Sequence, residues 1–405
     1  MHRIHIIRNQ LAGCPFGFDK KDPNEPVIVF GIRSPITKAK RGGLSTTYPE
    51  EILSQLFSHI LSSINISPND ISDIIIGNAL QGGCGFVSSR AAQRIAGIPE
   101  TVPLYTVNRL CNSGLQAIID ASNAIKNGKG KIIIAGGVES MSLNNFGNML
   151  NENLIRKETL LSDPIIQKVI TPMGLTNENI CERFNISREA QDKFAYDSHM
   201  KAAKALKDNK FKYEILPIKT KDNKLITIDD IIRPNTTIES LSKLKPVFKS
   251  NGTTTAGNSS PLSDGGALCL LMSRKKAVEY KLPILGKIIA YSVVGVPPEI
   301  MGIGPSIAIP SVLKMAGLDY KDIDLFEINE AFAGQALYCI EKLNLPKGKV
   351  NIHGGAIALG HPLGCTGARM VVAMLNELHM YNKKRGIGSM CIGTGMGAAC
   401  IIERE

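Results

Sequence analysis

Four stretches of this chain set reactive residue types beside glycines or helix starts that would present them. The first is Asn108-Arg109-Leu110-Cys111-Asn112-Ser113-Gly114-Leu115-Gln116-Ala117, a cysteine just ahead of a helix. Apolar Ile118, Ile119, Ala121 and Ile125 recur at helical spacing until Gly128. A thiol at a helix N-terminus feels the positive end of the peptide dipoles, which favours the nucleophilic thiolate. Read plainly, the same cysteine is a small buried hydrophobe, the commoner use of a free thiol.

The second stretch, Gly354 to Pro362, holds His361 among glycines and small residues, a loop that lets backbone approach a ligand closely. The third, Ser389 to Gly397, is a strand end carrying Cys391 and then a glycine turn through Gly393. The fourth, Asn329-Glu330-Ala331-Phe332-Ala333, opens a helix after the strand Leu325–Ile328. Each has a structural alternative: a loop histidine bound to backbone, a strand cysteine, a helix cap at Asn329.

The elements that must position these residues read as alternating strands and helices. Val27–Phe30 is the expected first strand, Pro49–Ile64 a helix, Ile71–Ile76 a buried strand and Arg90–Ala96 a helix. Leu104–Val107 is a short strand leading into Cys111, and Lys131–Gly137 a strand ended by glycines. This alternation predicts a mainly parallel sheet covered on both faces. From about Asn145 to Lys249 the pattern becomes richer in Asn, Lys and turn residues, with one helix from an N-capping Ser187 to about Lys207. Between Lys201 and Ser250 there are 12 Lys plus Arg against 6 Asp plus Glu, so an inserted segment with a basic face is expected.

The α/β pattern then repeats. Asp70–Asp73 matches Asp322–Leu325 at an offset of 252, Cys111–Gly114 matches Gly364–Gly367 at 253, and Gly130–Ile133 matches Gly388–Cys391 at 258. Three matches in order predict a duplicated unit, with a site where the halves meet.

Composition narrows the functional classes. The 405 residues are 43% hydrophobic and 20% charged, enough for two or three domains and a large core. No apolar run approaches the roughly 20 residues that span a bilayer, so an integral membrane protein is not expected. Nine cysteines, none in a Cys-x-x-Cys pair, suit free thiols in a reducing interior, with no metal site. A net charge of +11 favours anionic partners, but the charges are dispersed, tryptophan is absent and no nucleic-acid motif supports such a role. A phosphate-bearing small molecule, or a plainly solvated surface, accounts for the bias. In the first 18 residues Arg3-Ile4, Ile7 and Gln10-Leu11 share one helical face. That spacing resembles a peroxisomal import signal, with a mitochondrial presequence as the alternative.

Together, Cys111, Asn329, His361 and Cys391, framed by Asn-Glu-Ala-Phe, Gly-His-Pro and Cys-Ile-Gly-Thr-Gly in that order, resemble the signature of the thiolases. The resemblance covers about residues 26–404 and is greatest to the family's peroxisomal branch. It implies a five-layered α/β/α/β/α fold: two similar halves with mixed, mainly parallel sheets plus an inserted loop domain. The expected division is a targeting segment 1–25, an N-terminal domain 26–275 with its loop domain at about 145–249, and a C-terminal domain 282–405.

The implied activity is coenzyme A-dependent cleavage of 3-ketoacyl-CoA in fatty-acid β-oxidation, by ping-pong chemistry through an acyl-cysteine. By the same resemblance Cys111 attacks and His361 accepts its proton. Cys391 protonates the departing acetyl-CoA carbanion. His361 with a water held by Asn329 forms one oxyanion site, and the N–H groups of Cys111 and Gly393 form the other. Ser260 matches a pantetheine-contacting serine, Arg233 an arginine near the adenine, and Met173 sits in a Thr-Pro-Met-Gly run typical of degradative members. His353 stands where many relatives carry Asn. No permanent cofactor is implied. Coenzyme A is a co-substrate, acetyl-CoA and 3-ketoacyl-CoA are partners, and a homodimer and a peroxisomal import receptor complete the set. An acetyl-CoA acetyltransferase shares the catalytic residues and is the alternative, with an inactive thiolase-like scaffold a remote one.

Overall fold

The computed structural model describes residues 21–148 and 155–405. The Arg3–Leu11 signal pattern therefore lies outside the described residues.

The first half runs β1 (Pro26–Arg33), α1 (Pro49–Ser63), β2 (Asp73–Gly77), α2 (Phe86–Ile95), β3 (Leu104–Val107), α3 (Ser113–Lys126) and β4 (Ile132–Ser140). An excursion containing α4 (Met173–Arg183) and α5 (Arg188–Lys207) precedes β5 (Ser263–Ser273). The second half runs β6 (Gly286–Gly295), α6 (Gly304–Ala316), β7 (Leu325–Ile328), α7 (Ala333–Lys342), α8 (Leu363–Met380), β8 (Arg385–Ile392) and β9 (Met396–Arg404). Local chemistry sets several starts. Pro49 takes the first turn of α1 while Glu51 reaches back to the Tyr48 N–H at 2.7 Å. Ser187 caps α5 by accepting from the Ala190 N–H.

The strands pair in the order β7-β8-β9-β6-β1-β5-β4-β2-β3, with the two-residue strand Thr37–Lys38 on β5. Parallel pairing joins β2 to β3 and β4, and β7 to β8. The strands between them are antiparallel, so parallel pairing is confined to the two outer parts of a mixed sheet. The halves touch within the sheet at one register pair, Ile28 with Gly286.

Three apolar clusters define the layers. Ile74, Ile76, Ile132 and Ile134 pack under α1 through Ile52, Leu53, Leu56 and Ile60. Their strand neighbours Ile75 and Ile133 point the other way, because successive side chains alternate across a strand. There they meet α3 and α8, whose far sides pack on Cys400 and Ile402 of β9. Phe326, Ile387 and Ile401 then face α6 through Ile309, Val312 and Leu313. Helix, sheet, paired helices, sheet and helix give five layers. Each fully buried Leu or Ile contributes about 1.5–3 kcal/mol, so these clusters outweigh helix propensity in holding the layers.

The duplication is real but its register differs from expectation at one place. Ile74 pairs with Ile134, and Phe326 with Ile387, which sets offsets of 252 and 253. The counterpart of Gly130 is thus Lys383, and the match to Gly388 is five residues out of register. The two stretches share only a glycine ahead of apolar residues, which does not fix register. Gly136 and Gly137 also do not end β4. They lie inside it, where a Cβ would come within 2.1 Å of Ala267 O and 1.9 Å of Gly364 O. Close backbone approach requires them.

Within Lys201–Ser250 two of the six acids, Glu214 and Asp229, are buried against the fully buried Arg33. Four acids and ten of the cations remain exposed, which makes this surface more basic than the composition implies. Among the described residues no helix is long and apolar enough to cross a membrane.

Candidate active site

The site is built where α3 and α8 cross at their N-terminal ends. Gly114 faces Ala368 with a would-be Cβ distance of 3.1 Å to its N, and Gly367 faces the Leu115 N at 2.5 Å. The two contacts are equivalent under the duplication. Each helix offers a glycine where the other's backbone arrives, so both N-termini reach one place. Cys111 enters through a single 3₁₀ turn, Leu110–Asn112, ahead of α3. Leu110 adopts φ +50°, a conformation disfavoured for a branched side chain. His361 lies two residues before α8, after Gly360 at φ +102°.

Cys111 is 6% exposed and packs with Ala79, Met141 and Leu363. The Gly393 N–H lies near enough to its sulfur to favour the thiolate form. Burial pushes this thiol up to about 11, more than Gly393 and the residue's own N–H pull it down. The expected thiolate is therefore not the resting form. The helix dipole acts on a desolvated sulfur, and desolvation wins. Cys391, at the end of β8, is raised well above the usual thiol range by burial and by Cys111 beside it.

His361 is 5% exposed, and burial with Arg369 nearby lowers it to about 3. Its Nδ1 lies 2.7 Å from Thr366 Oγ1, which itself donates to Pro362 O. Thr366 has a single proton, so Nδ1 carries the hydrogen and Nε2 is left as acceptor. Asn329 Nδ2 is 3.3 Å from that Nε2. Asn329 Oδ1 is buried with no hydrogen-bond partner, the kind of atom that an ordered water satisfies. The backbone N–H of His361 donates to Ser263 Oγ.

Met173 and Gly393 also converge. A Cβ on Gly393 would lie 3.4 Å from Met173 Sδ, and Met173 packs with Cys391, Met301, Ala331 and Phe332. Ser260 is tied to the same turn, its N–H and Oγ both donating to Ala331 O at 3.0 and 2.9 Å. Arg233 stands apart, exposed on the excursion, with its N–H donating to His199 Nδ1. His353 lies between Phe211, Tyr381 and Glu377, bonded to Tyr381 at 2.9 Å, a packing position with no bond to the four reactive residues. Sequence reasoning overlooked Thr366, Ser263 and Glu139 as supports of the site. Only Glu139 carried a signal, as an acid near the end of an apolar strand. A cavity of about 580 Å³ between α5 and α7 touches Glu330 and Asn351 but none of Cys111, Asn329, His361 or Cys391.

Comparisons with known proteins give the family. A profile of the thiolase N-terminal domain matches residues 26–275, and one of the thiolase C-terminal domain matches 282–404. Peroxisomal 3-ketoacyl-CoA thiolase A of Mus musculus is 50% identical, across 100% of this chain and 99% of that protein. The dimeric peroxisomal thiolase of Saccharomyces cerevisiae superposes with a TM-score of 0.90 at 48% identity, over 95% of this chain and 99% of that one. The acetyl-CoA acetyltransferase of Bacillus anthracis superposes at 0.85 with 39% identity, over 94% and 99%.

Proposed function

This chain belongs to the thiolase family, and on that premise we propose that it is a 3-ketoacyl-CoA thiolase of peroxisomal fatty-acid β-oxidation. It is an acyltransferase that uses coenzyme A to release acetyl-CoA and an acyl-CoA two carbons shorter. What carries the reading is Gly393 and Cys391 gathered on Cys111, with Leu363, two residues after a neutral His361 whose Nε2 is an acceptor, packed in the same cluster as Cys111. Greater identity to the peroxisomal thiolases than to the acetyltransferase structure leaves the short-chain alternative unfavoured.

The chemistry follows from the protonation states. Cys111 rests as a thiol, so attack on the 3-keto carbon requires a base, and His361 Nε2 takes the proton. The tetrahedral intermediate collapses with cleavage of the C2–C3 bond, leaving an acyl-Cys111 and an acetyl-CoA enolate. Cys391 donates its proton to the enolate carbon, a task suited to a thiol held protonated by burial. Coenzyme A then loses its proton to the Cys391 thiolate and attacks the acyl-Cys111 carbonyl, and Cys111 leaves to recover its proton from His361. Two oxyanions need separate donors. The Cys111 and Gly393 N–H groups serve one, and His361 with an Asn329-held water serves the other. Each donor is worth about 3–4 kcal/mol of barrier.

Ser260, Met173 and the exposed Arg233 bind coenzyme A, and the basic excursion at about 145–249 covers it. The two profile matches support domains at 26–275 and 282–405. A homodimer is supported by the dimeric yeast relative and by β3, the last strand in the sheet order, with Phe86, Val87, Ile95 and Tyr105 exposed nearby. The Arg3–Leu11 pattern addresses the chain to a peroxisomal import receptor, in keeping with its relatives' location.

The test is coenzyme A-dependent thiolysis of acetoacetyl-CoA and of a long-chain 3-ketoacyl-CoA, with Cys111→Ala alongside. Long-chain cleavage that disappears in the variant is expected. Cleavage of acetoacetyl-CoA alone would transfer the role to the short-chain enzyme, and no cleavage would restore the scaffold reading.

A further inference from the structure

Glu139 is the eighth residue of β4 and is fully buried. Its Oε2 accepts the Ala79 N–H at 2.9 Å and the Gly364 N–H at 3.0 Å, and its Oε1 accepts the Leu80 N–H at 3.3 Å. Ala79, on the loop after β2, walls the Cys111 sulfur together with Leu363. Gly364 is in the first turn of α8, three residues after His361. One carboxylate thus joins the nucleophile's wall to the helix start that carries the base. The scaffold itself does not call for an acid here. Under the offset of 253 set by the strand register, the equivalent position in the second half is Ile392.

The charge has a direction as well as a place. Cys111 faces it from the turn before α3, Asp264 from β5, Cys365 from α8 and Cys84 from the loop after β2. A buried carboxylate near a thiol disfavours the thiolate, since neither charge is solvated. Burying an acid is costly unless its oxygens are bonded, and three N–H groups offset part of that cost, burial still raising the carboxyl to about 7.

We propose that Glu139 is a positioning residue: it pins the Ala79 wall to the start of α8, and its charge adds to the burial that keeps Cys111 a thiol until His361 takes the proton. The proposal rests on the reading of Cys111 as nucleophile. Its role is to hold base and nucleophile in register while adding to burial against a standing thiolate, which would be open to oxidation and alkylation.

The decisive variant is Glu139→Gln, which is isosteric and keeps the two shorter bonds through its amide oxygen while losing the charge. The full-length protein is treated with iodoacetamide between pH 6 and 10, and carbamidomethylation of the Cys111 peptide is followed by mass spectrometry. Burial raises Glu139 itself to about 7, so its charge is in place only above that, and between about pH 7.5 and the thiol midpoint E139Q should react about threefold faster than wild type, a shift of about half a pH unit toward acid. An equal or slower rate would overturn the charge assignment. Glu139→Ala removes all three acceptor bonds, and kcat for thiolysis should drop at least about tenfold while KM for coenzyme A stays within about twofold. A kcat matching wild type, or a loss confined to KM, would overturn the pinning. Alkylation reads the thiol without any acyl-CoA. A wild-type protein inactive in thiolysis would therefore sink the enzymatic reading and leave the thiol measurement to judge Glu139 separately.

Discussion

The two halves of this molecule share one scaffold and carry different parts of the candidate site. In each, an antiparallel pair, β4–β5 or β8–β9, follows a buried helix, α3 or α8. The first half inserts residues 141–262 into that hairpin, while the second closes it with Gly393–Gly395 alone. The short version puts Cys391 and Gly393 against Cys111, and Thr394 at φ +68° and Gly395 at φ +97° make so tight a turn. The long version supplies Met173 and Ser260 to the same place. Duplication gave two equivalent helix starts facing each other. Divergence put Cys111 ahead of one and His361 ahead of the other.

Removing the base tests that division most strongly. His361→Ala should lower kcat for thiolysis about 10³-fold or more, since it loses both proton acceptor and oxyanion donor, as steady-state kinetics would measure. A loss under tenfold would mean the first half works without the second. Next in size is a backbone effect. Gly137→Ala would put a Cβ 1.9 Å from Gly364 O and should cost about 2–3 kcal/mol, seen as a lower denaturation midpoint. Gly388→Ala in β8 meets nothing nearer than the Cys400 sulfur at 3.5 Å, and its counterpart in β4 is already Ala135. It should be neutral or stabilising by about 0.5 kcal/mol. Equal costs at the two positions would break the register.

Smaller effects sharpen the picture further. Arg233→Ala should raise KM for coenzyme A about threefold to tenfold and leave kcat unchanged, because its exposed charge makes no contact with the reactive residues. The smallest signal is a silence. With burial holding His361 near 3, its imidazole resonance should not titrate between pH 8 and pH 5 in NMR spectra. A midpoint near 6.5 would show that solvent reaches the ring. The sign is that of a group whose charged form is disfavoured by folding: His361 favours the native state above 6.5 and withdraws that support as pH falls toward 3.

Much of this was legible in the chain. Helical spacing placed α1, α3 and α5 within a few residues, because an amphipathic or buried face writes its period into the sequence. The glycines of β4 were misread as a strand end. Nothing local distinguishes a glycine that turns the chain from one that admits another backbone. The third repeat match failed similarly, since register depends on hydrogen bonding between distant strands.

Residue type and order determined the reactive set: two cysteines, a histidine and an asparagine, each beside glycine or a helix start. Only the tertiary structure decided their states. Folding buried Cys111, which reversed the expected thiolate into a thiol. It set Thr366 on His361 Nδ1, which left Nε2 as an acceptor beside Asn329 Nδ2. It also placed Glu139, near the end of β4, at the junction of the Ala79 loop and the start of α8. The physical reason is common to all three. Protonation follows from desolvation and hydrogen-bond partners, and those are supplied by residues far away in the chain.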